Sequence, residues 1–284
     1  MAQLIGGLGS SHIPAIGGAI HKGLQQEPYW KPFFDGYGPV REWLGKVRPD
    51  VVVMFYNDHG LNFFLDKMPT FAVGAAAQYS NADEGWGIPT LAPVQGQTDL
   101  SWALINHLID QNFDVTTCQE MLVDHACTLP LKLFWPEGDY PVTLVPVCIN
   151  TVQFPLPNAR RVYAFGRAVG EAIAGWQSDK KVAVVASGGL SHQLEGERAG
   201  FINKAFDLQF LQSLETNPEW ATQFSIHELV EKAGTQGIEL LAWLAMRAAL
   251  TVGEGCGVRK VHSNYHLPIS NTATGLLALE KVGA

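Results

Sequence analysis

Three of the nine histidines in this chain share one local context. An apolar run at residues 4–8 leads through Gly9, Ser10 and Ser11 to His12. A second run, at 51–56, leads through Asn57 and Asp58 to His59. A third, at 182–186, leads through Ser187, Gly188, Gly189, Leu190 and Ser191 to His192. In open α/β sheets, ligands bind beyond the carboxyl ends of the strands, so three such histidines meet if their strands are neighbours. A single histidine after a strand is ordinarily a turn residue bonded locally. The repetition is what points to a site.

A carboxylate joins them. Glu239 is the one polar residue in the stretch GIELLAWLAM at 237–246, and on a helix it shares a face with Trp243 and Met246. Burying a carboxylate there is costly unless it is paired or bound to a metal. The competing account places Glu239 in a first helical turn, favoured by the helix dipole. Two histidines and one carboxylate from separate elements are the donor set of the facial triad of non-haem Fe(II) oxygenases, which leaves open positions for substrate and O2. Zinc hydrolases use the same three donors, although the HExxH arrangement is absent here. A remaining histidine suits an acid/base that works near neutral pH. Asp124 and His125 are either a pair supporting a ligand or a helix N-cap followed by a surface histidine. His21, His107, His227 and His262 have no such context and are read as structural or solvated. There is no GxSxG elbow and no P-loop, and Gly6-Gly7-Leu8-Gly9 lacks dinucleotide-binding spacing.

Strands and helices must bring these residues together. Strands are predicted at 4–8, 51–56, 70–73, 113–117, 142–147 and 182–186. Helices are predicted at 40–47, 99–111, 158–176, 201–214, 226–233 and 237–250. This alternation predicts an α/β fold in a single domain over residues 1–284. Its sheet is mainly parallel or mixed and flanked by helices, with the active site at the carboxyl ends of strands. Pro and Gly mark a loop at 85–96 and an irregular stretch at 253–257, followed by a final strand-like segment and a last helix.

Bulk properties narrow the class. A chain of 284 residues, 47% hydrophobic and 16% charged, can bury a large core without staples. The net charge of −8 argues against a broad grip on nucleic acid or an anionic membrane. Cys118, Cys127, Cys148 and Cys256 show no CxxC spacing and are read as free thiols. With no apolar stretch of spanning length and no basic-then-apolar start, the expectation is a soluble cytoplasmic protein.

The chain resembles the LigB-type class III extradiol dioxygenases, and in particular the β subunit of protocatechuate 4,5-dioxygenases. The marks are SSHIPA at 10–15, YNDH at 56–59, ADEGWG at 82–87, SGGLSHQL at 187–194, ERAGFINK at 197–204, GIELLAWL at 237–244 and YHLPISNTA at 265–273. The resemblance thus covers nearly the whole chain. It implies Fe(II) held by His12, His59 and Glu239, with His192 as the acid/base and His125 near the substrate hydroxyls. It also implies a contact between Ser270, next to Asn271, and a substrate carboxylate. The competing account of Ser270, Asn271 and Thr272 is a cap on the last helix. The implied reaction is extradiol cleavage of a carboxylated catechol by O2, protocatechuate giving 4-carboxy-2-hydroxymuconate semialdehyde. Gallate and other catechols stand behind protocatechuate. A ligand- or peptide-binding relative without activity and a zinc hydrolase are the alternatives of other classes. The family also implies a separate small helical subunit, in a heterotetramer-like assembly, because no fused lid follows the last element.

Overall fold

The computed structural model describes residues 1–85, 91–138, 140–269 and 271–283. Eight strands form the main sheet: β1 (Gln3–Ser10), β2 (Val51–Tyr56), β3 (Phe71–Gly74), β4 (Thr116–Cys118), β5 (Thr143–Ile149), β6 (Lys181–Ser187), β7 (Gly257–Ile269) and β8 (Thr272–Val282). Their order is β7-β8-β1-β6-β2-β5-β3-β4. The central four, β1, β6, β2 and β5, are parallel, while β8 runs antiparallel to β1 and β3 antiparallel to β5. The sheet is therefore mixed, as the alternation of elements predicts.

Both faces of the sheet are buried, and β2 shows how. Val51, Val53 and Phe55 enter one core cluster, and Val52, Met54 and Tyr56 enter the other. Successive strand residues point to opposite faces, so a strand covered on both sides has no polar face and becomes a continuous apolar run. Helices α1 (Pro14–His21), α2 (Lys31–Asp35), α3 (Gly38–Val47) and α5 (His125–Phe134) pack with the second cluster. Helices α4 (Thr98–Asp110), α6 (Ala159–Gly175), α7 (Lys204–Thr216), α8 (Ile226–Ala233) and α9 (Leu240–Ala249) pack with the first. No helix among the described residues is long and apolar enough to cross a membrane.

Two expectations need correction. The segment after residue 271 is a strand and not a last helix: β8 pairs with β7 on one side and β1 on the other. Its residues 272–279 are all buried, Leu277 and Leu279 facing one cluster and Leu276 and Ala278 the other. Burial on both faces removes the alternation that would have marked a strand, and Leu, Ala, Glu and Lys are good helix formers. Consequently no helix follows Asn271 and Thr272 for them to cap. The helix predicted over 237–250 is the second correction. It begins as a 3₁₀ turn, Gly237–Glu239, and becomes α-helical only from Leu240.

Candidate metal centre and active site

β1, β6 and β2 are adjacent and parallel, with Ser10 level with Ser187 and Phe55 level with Ala186. Their carboxyl ends therefore emerge side by side. His12, His59 and His192 line one cavity of about 910 Å³, together with His125, Asn57 and Glu239. The strand-end histidines thus converge, and Glu239 joins them from the far side.

Each histidine of the candidate donor set is aimed by a partner behind it. His12 Nδ1–H donates to Ser187 Oγ at 2.8 Å, and the Ser187 hydroxyl donates to the Ala126 carbonyl. The Nε2 lone pair of His12 is then turned toward Glu239 Oε1, 3.5 Å away. His59 Nδ1–H donates to Asp124 Oδ2 at 2.9 Å, and its Nε2 lies 3.7 Å from the same Glu239 oxygen. The hydrogen bond at one ring nitrogen fixes the tautomer and leaves the other nitrogen to a metal. Asp58 holds the turn that carries His59, accepting from the backbone N–H groups of Gly60, Leu61, Asn62 and Phe63.

Glu239 is 6% exposed. Its Oε2 accepts from Gly189 N–H at 2.8 Å, and Oε1 accepts from the Asn57 amide at 3.2 Å. Room for it depends on Gly188, whose φ is +120° and whose hypothetical Cβ would sit 2.6 Å from Glu239 Cβ. Only glycine meets both conditions. The Gly188 carbonyl accepts from Trp243 Nε1–H at 3.0 Å, which ties this loop to α9.

The electrostatics favour a cation. Burial would raise the Glu239 carboxyl, but the facing His12, His59 and His192 rings hold it well below the usual carboxylate range. Burial alone would lower His59; the bonds and charges of Asp124 and Glu239 outweigh it and push its pKa up to about 10. The carboxylates that draw a proton onto His59 would equally draw a metal ion. The donor set, two imidazole nitrogens and one carboxylate oxygen within 3.5 and 3.7 Å, fits a divalent transition metal with positions to spare.

His125 is close enough to compete as a ligand, since its ring nitrogen lies within 4.8 Å of those of His12 and His59. The His59 and His125 rings stack at 4.3 Å with 28° between planes, so their in-plane lone pairs run side by side, while His12 meets both edge to face, at 87° and 89°. Glu239 singles out His59, since its Oε1 lies 3.5 and 3.7 Å from the Nε2 atoms of His12 and His59. His125 is also engaged from behind, its Nδ1 and backbone N–H both bonded to Glu84. Burial lowers its pKa against the pull of Glu84, so it is neutral near pH 7. It is 2% exposed, which corrects the reading of a surface histidine. Asp124 fills both of its proposed roles, capping α5 through Oδ1 to Ala126 N–H while Oδ2 holds His59.

His192 Nδ1–H donates to the Leu190 carbonyl at 2.9 Å, which makes Nε2 the accepting atom of the neutral ring. Ser270 lies outside the described residues. Asn271 is exposed in the turn between β7 and β8, beside Thr272, which lines the cavity. Sequence reasoning did not single out Asn57, Glu84 or Ser187. Their signal was membership of the YNDH, ADEGWG and SGGLSHQL motifs, and nothing in spacing assigned them a function.

Comparison with known proteins places these features in a family. The family model described as "Catalytic LigB subunit of aromatic ring-opening dioxygenase" matches residues 6–275. A gallate dioxygenase of Pseudomonas putida is 38% identical over 200 residues, which are 70% of this chain but 57% of that protein's length. A 2,3-dihydroxyphenylpropionate/2,3-dihydroxicinnamic acid 1,2-dioxygenase of Xanthobacter autotrophicus is 28% identical over 272 residues, 80% of this chain and 84% of that protein. With nearly its whole length matched, the chain belongs to the family of catalytic LigB subunits of aromatic ring-opening dioxygenases.

Proposed function

We propose that this chain is the catalytic subunit of an Fe(II)-dependent extradiol dioxygenase acting on a carboxylated catechol, with protocatechuate going to 4-carboxy-2-hydroxymuconate semialdehyde as the leading reaction. The observation that carries the reading is the placement of Glu239 Oε1 3.5 and 3.7 Å from the Nε2 atoms of His12 and His59, inside a cavity also lined by His125 and His192. Held by those three side chains, Fe(II) would bind the two catechol oxygens and O2 and carry electron density between them.

The protein's own groups handle protons and orientation. His125, neutral and fixed by Glu84, accepts a hydrogen bond from a catechol hydroxyl and sets the ring's angle. His192 Nε2 takes a hydroxyl proton as the diol is deprotonated and returns one as the ring opens. A substrate carboxylate must find donors away from the metal or remain an uncompensated buried charge. Asn271 stands in the turn that leads into Thr272 at the cavity wall, and Ser270 precedes it in the sequence, which supports this role for them.

Ser270→Ala should therefore lower kcat/KM for protocatechuate roughly 10- to 150-fold, the equivalent of a charge-assisted hydrogen bond worth about 1.5–3 kcal/mol. Catechol, lacking the carboxylate, should be affected little. An unchanged protocatechuate-to-catechol ratio would remove Ser270 from substrate recognition.

Gallate is the runner-up substrate, favoured by the Pseudomonas putida relative. The test is O2 uptake by the Fe(II)-loaded protein with protocatechuate, gallate, 2,3-dihydroxyphenylpropionate and catechol. The reading expects one O2 per substrate and the highest kcat/KM with a carboxylate placed directly on the ring. No uptake with any of the four would contradict it.

The cavity mouth carries exposed Val152, Phe154 and Leu194. These support a separate small helical chain as the partner that covers the site. Co-expression should give a complex on sizing with higher turnover than this chain alone. Equal turnover without the partner would count against it.

A further inference from the structure

Asp207, on α7, is 1% exposed and does not line the cavity. A buried carboxylate is costly unless its oxygens are satisfied. Here three donors satisfy it: Ser191 N–H at 2.9 Å on Oδ1, then Ser191 Oγ–H at 2.6 Å and Tyr265 OH at 2.9 Å on Oδ2. Ser191 Oγ in turn accepts from Asn203 N–H at 2.8 Å. Burial still leaves the Asp207 carboxyl above its ordinary pKa. Asp207 lies in the first turn of α7, but helix capping does not explain its orientation. Asn203 is the cap, bonding Phe206 N–H, and Asp207 reaches out of the helix.

What Asp207 grips is the irregular loop 188–192, which leaves β6 and delivers His192. The loop's backbone ties run to the β8 start and to the last residue of α8: Leu190 N–H to Ala273 O, Ala273 N–H to Ser191 O, and His192 N–H to Ala233 O. Ser191 points into the Asp207 network while His192 points into the cavity. Tyr265 brings β7 to the same oxygen, and β7 leads into the turn that holds Asn271. One carboxylate therefore holds the backs of both the histidine loop and the hairpin.

We propose that Asp207 is a positioning residue for His192, fixing the proton-transfer loop through Ser191 and keeping it in register with the β7–β8 hairpin through Tyr265. This rests on His192 being the acid/base of the proposed reaction.

The experiment is a double-mutant cycle on the Fe(II)-loaded protein, using Asp207→Ala, His192→Ala and the pair, with Asp207→Asn as the conservative variant. Asp207→Ala should lower kcat roughly 10- to 100-fold, as expected when a reacting group is misplaced by about an ångström. Substrate KM and iron content should stay within about twofold, and the pH limb of kcat that His192→Ala abolishes should shift. Asp207→Asn keeps an acceptor for Ser191 N–H and faces hydroxyls that can turn to accept, so it should recover most of the loss. In the His192→Ala background, Asp207→Ala should add no further loss, because residues acting through one group are not additive. Independent, multiplying losses would overturn the proposal while leaving the role of His192 intact. Full activity of His192→Ala would instead sink the acid/base reading, and this proposal with it. If Asp207→Ala fails to fold, Ser191→Ala and Tyr265→Phe replace it in the cycle and must show the same non-additivity.

Discussion

Glu239→Ala should leave the protein with little bound iron after desalting and with ring cleavage at background. The carboxylate is the only charged donor of the proposed set, and both histidine Nε2 atoms face its Oε1 at 3.5 and 3.7 Å. Without it, two neutral imidazoles remain, and the charge that opposes the cation's own burial is gone. Even a partner that only orients a ligand is worth about 10- to 100-fold in metal affinity, so losing a ligand should exceed that. Asp124→Asn supplies the graded comparison. It weakens the bond to His59 Nδ1 without removing a donor from the site, and should cost about 10- to 100-fold in affinity. Glu239→Gln controls for folding, since an amide oxygen can keep the Gly189 N–H bond. It should retain thermal stability yet still lose iron. The checks are metal content after anaerobic loading and an O2 electrode. Iron retained at one per chain in Glu239→Ala would remove this residue from the ligand set.

His192→Ala should behave oppositely: iron and substrate held, turnover lost by about 10²- to 10⁴-fold, the usual worth of a placed acid/base. Its Nδ1–H is committed to the Leu190 carbonyl, which leaves Nε2 as the atom that exchanges protons in the cavity. Glu239 Oε1 pairs with the Nε2 atoms of His12 and His59 at 3.5 and 3.7 Å, and His192 makes no such pair with it among the described residues. Alanine should therefore remove a proton carrier and leave the metal alone. Anaerobic substrate titration and metal analysis separate the two. A His192→Ala protein that fails to hold iron would mean that the histidines have been assigned to the wrong tasks.

Much of this site was legible because backbone chemistry forces a pattern. The run at 51–56 coincides with β2, and the three strand-to-histidine transitions lie on adjacent parallel strands. Glu239 stood out because a lone carboxylate in an apolar segment needs a partner. Residues that depend on contacts across the fold were not legible by the same means. Ser187 supports His12 across 175 positions, and Glu84 supports His125 across 41. Their types alone carry no such instruction. Helix α5 was hidden by Pro130 within it, and α1 by its two glycines, both of which lower helix propensity. Strand β8 was mistaken for a helix because burial on both faces erased the period of two.

The most direct test of the central claim is a metal exchange under argon. The apoprotein is loaded with either Fe(II) or Zn(II), mixed with protocatechuate, and then exposed to ¹⁸O2, with product masses read at single turnover. The account predicts that only the Fe(II) protein consumes O2, one molecule per substrate, and yields a ring-opened acid heavier than the substrate by the oxygen it has taken up. Equal reactivity with zinc, or an Fe(II)-loaded protein that leaves both O2 and the ring untouched, would contradict it.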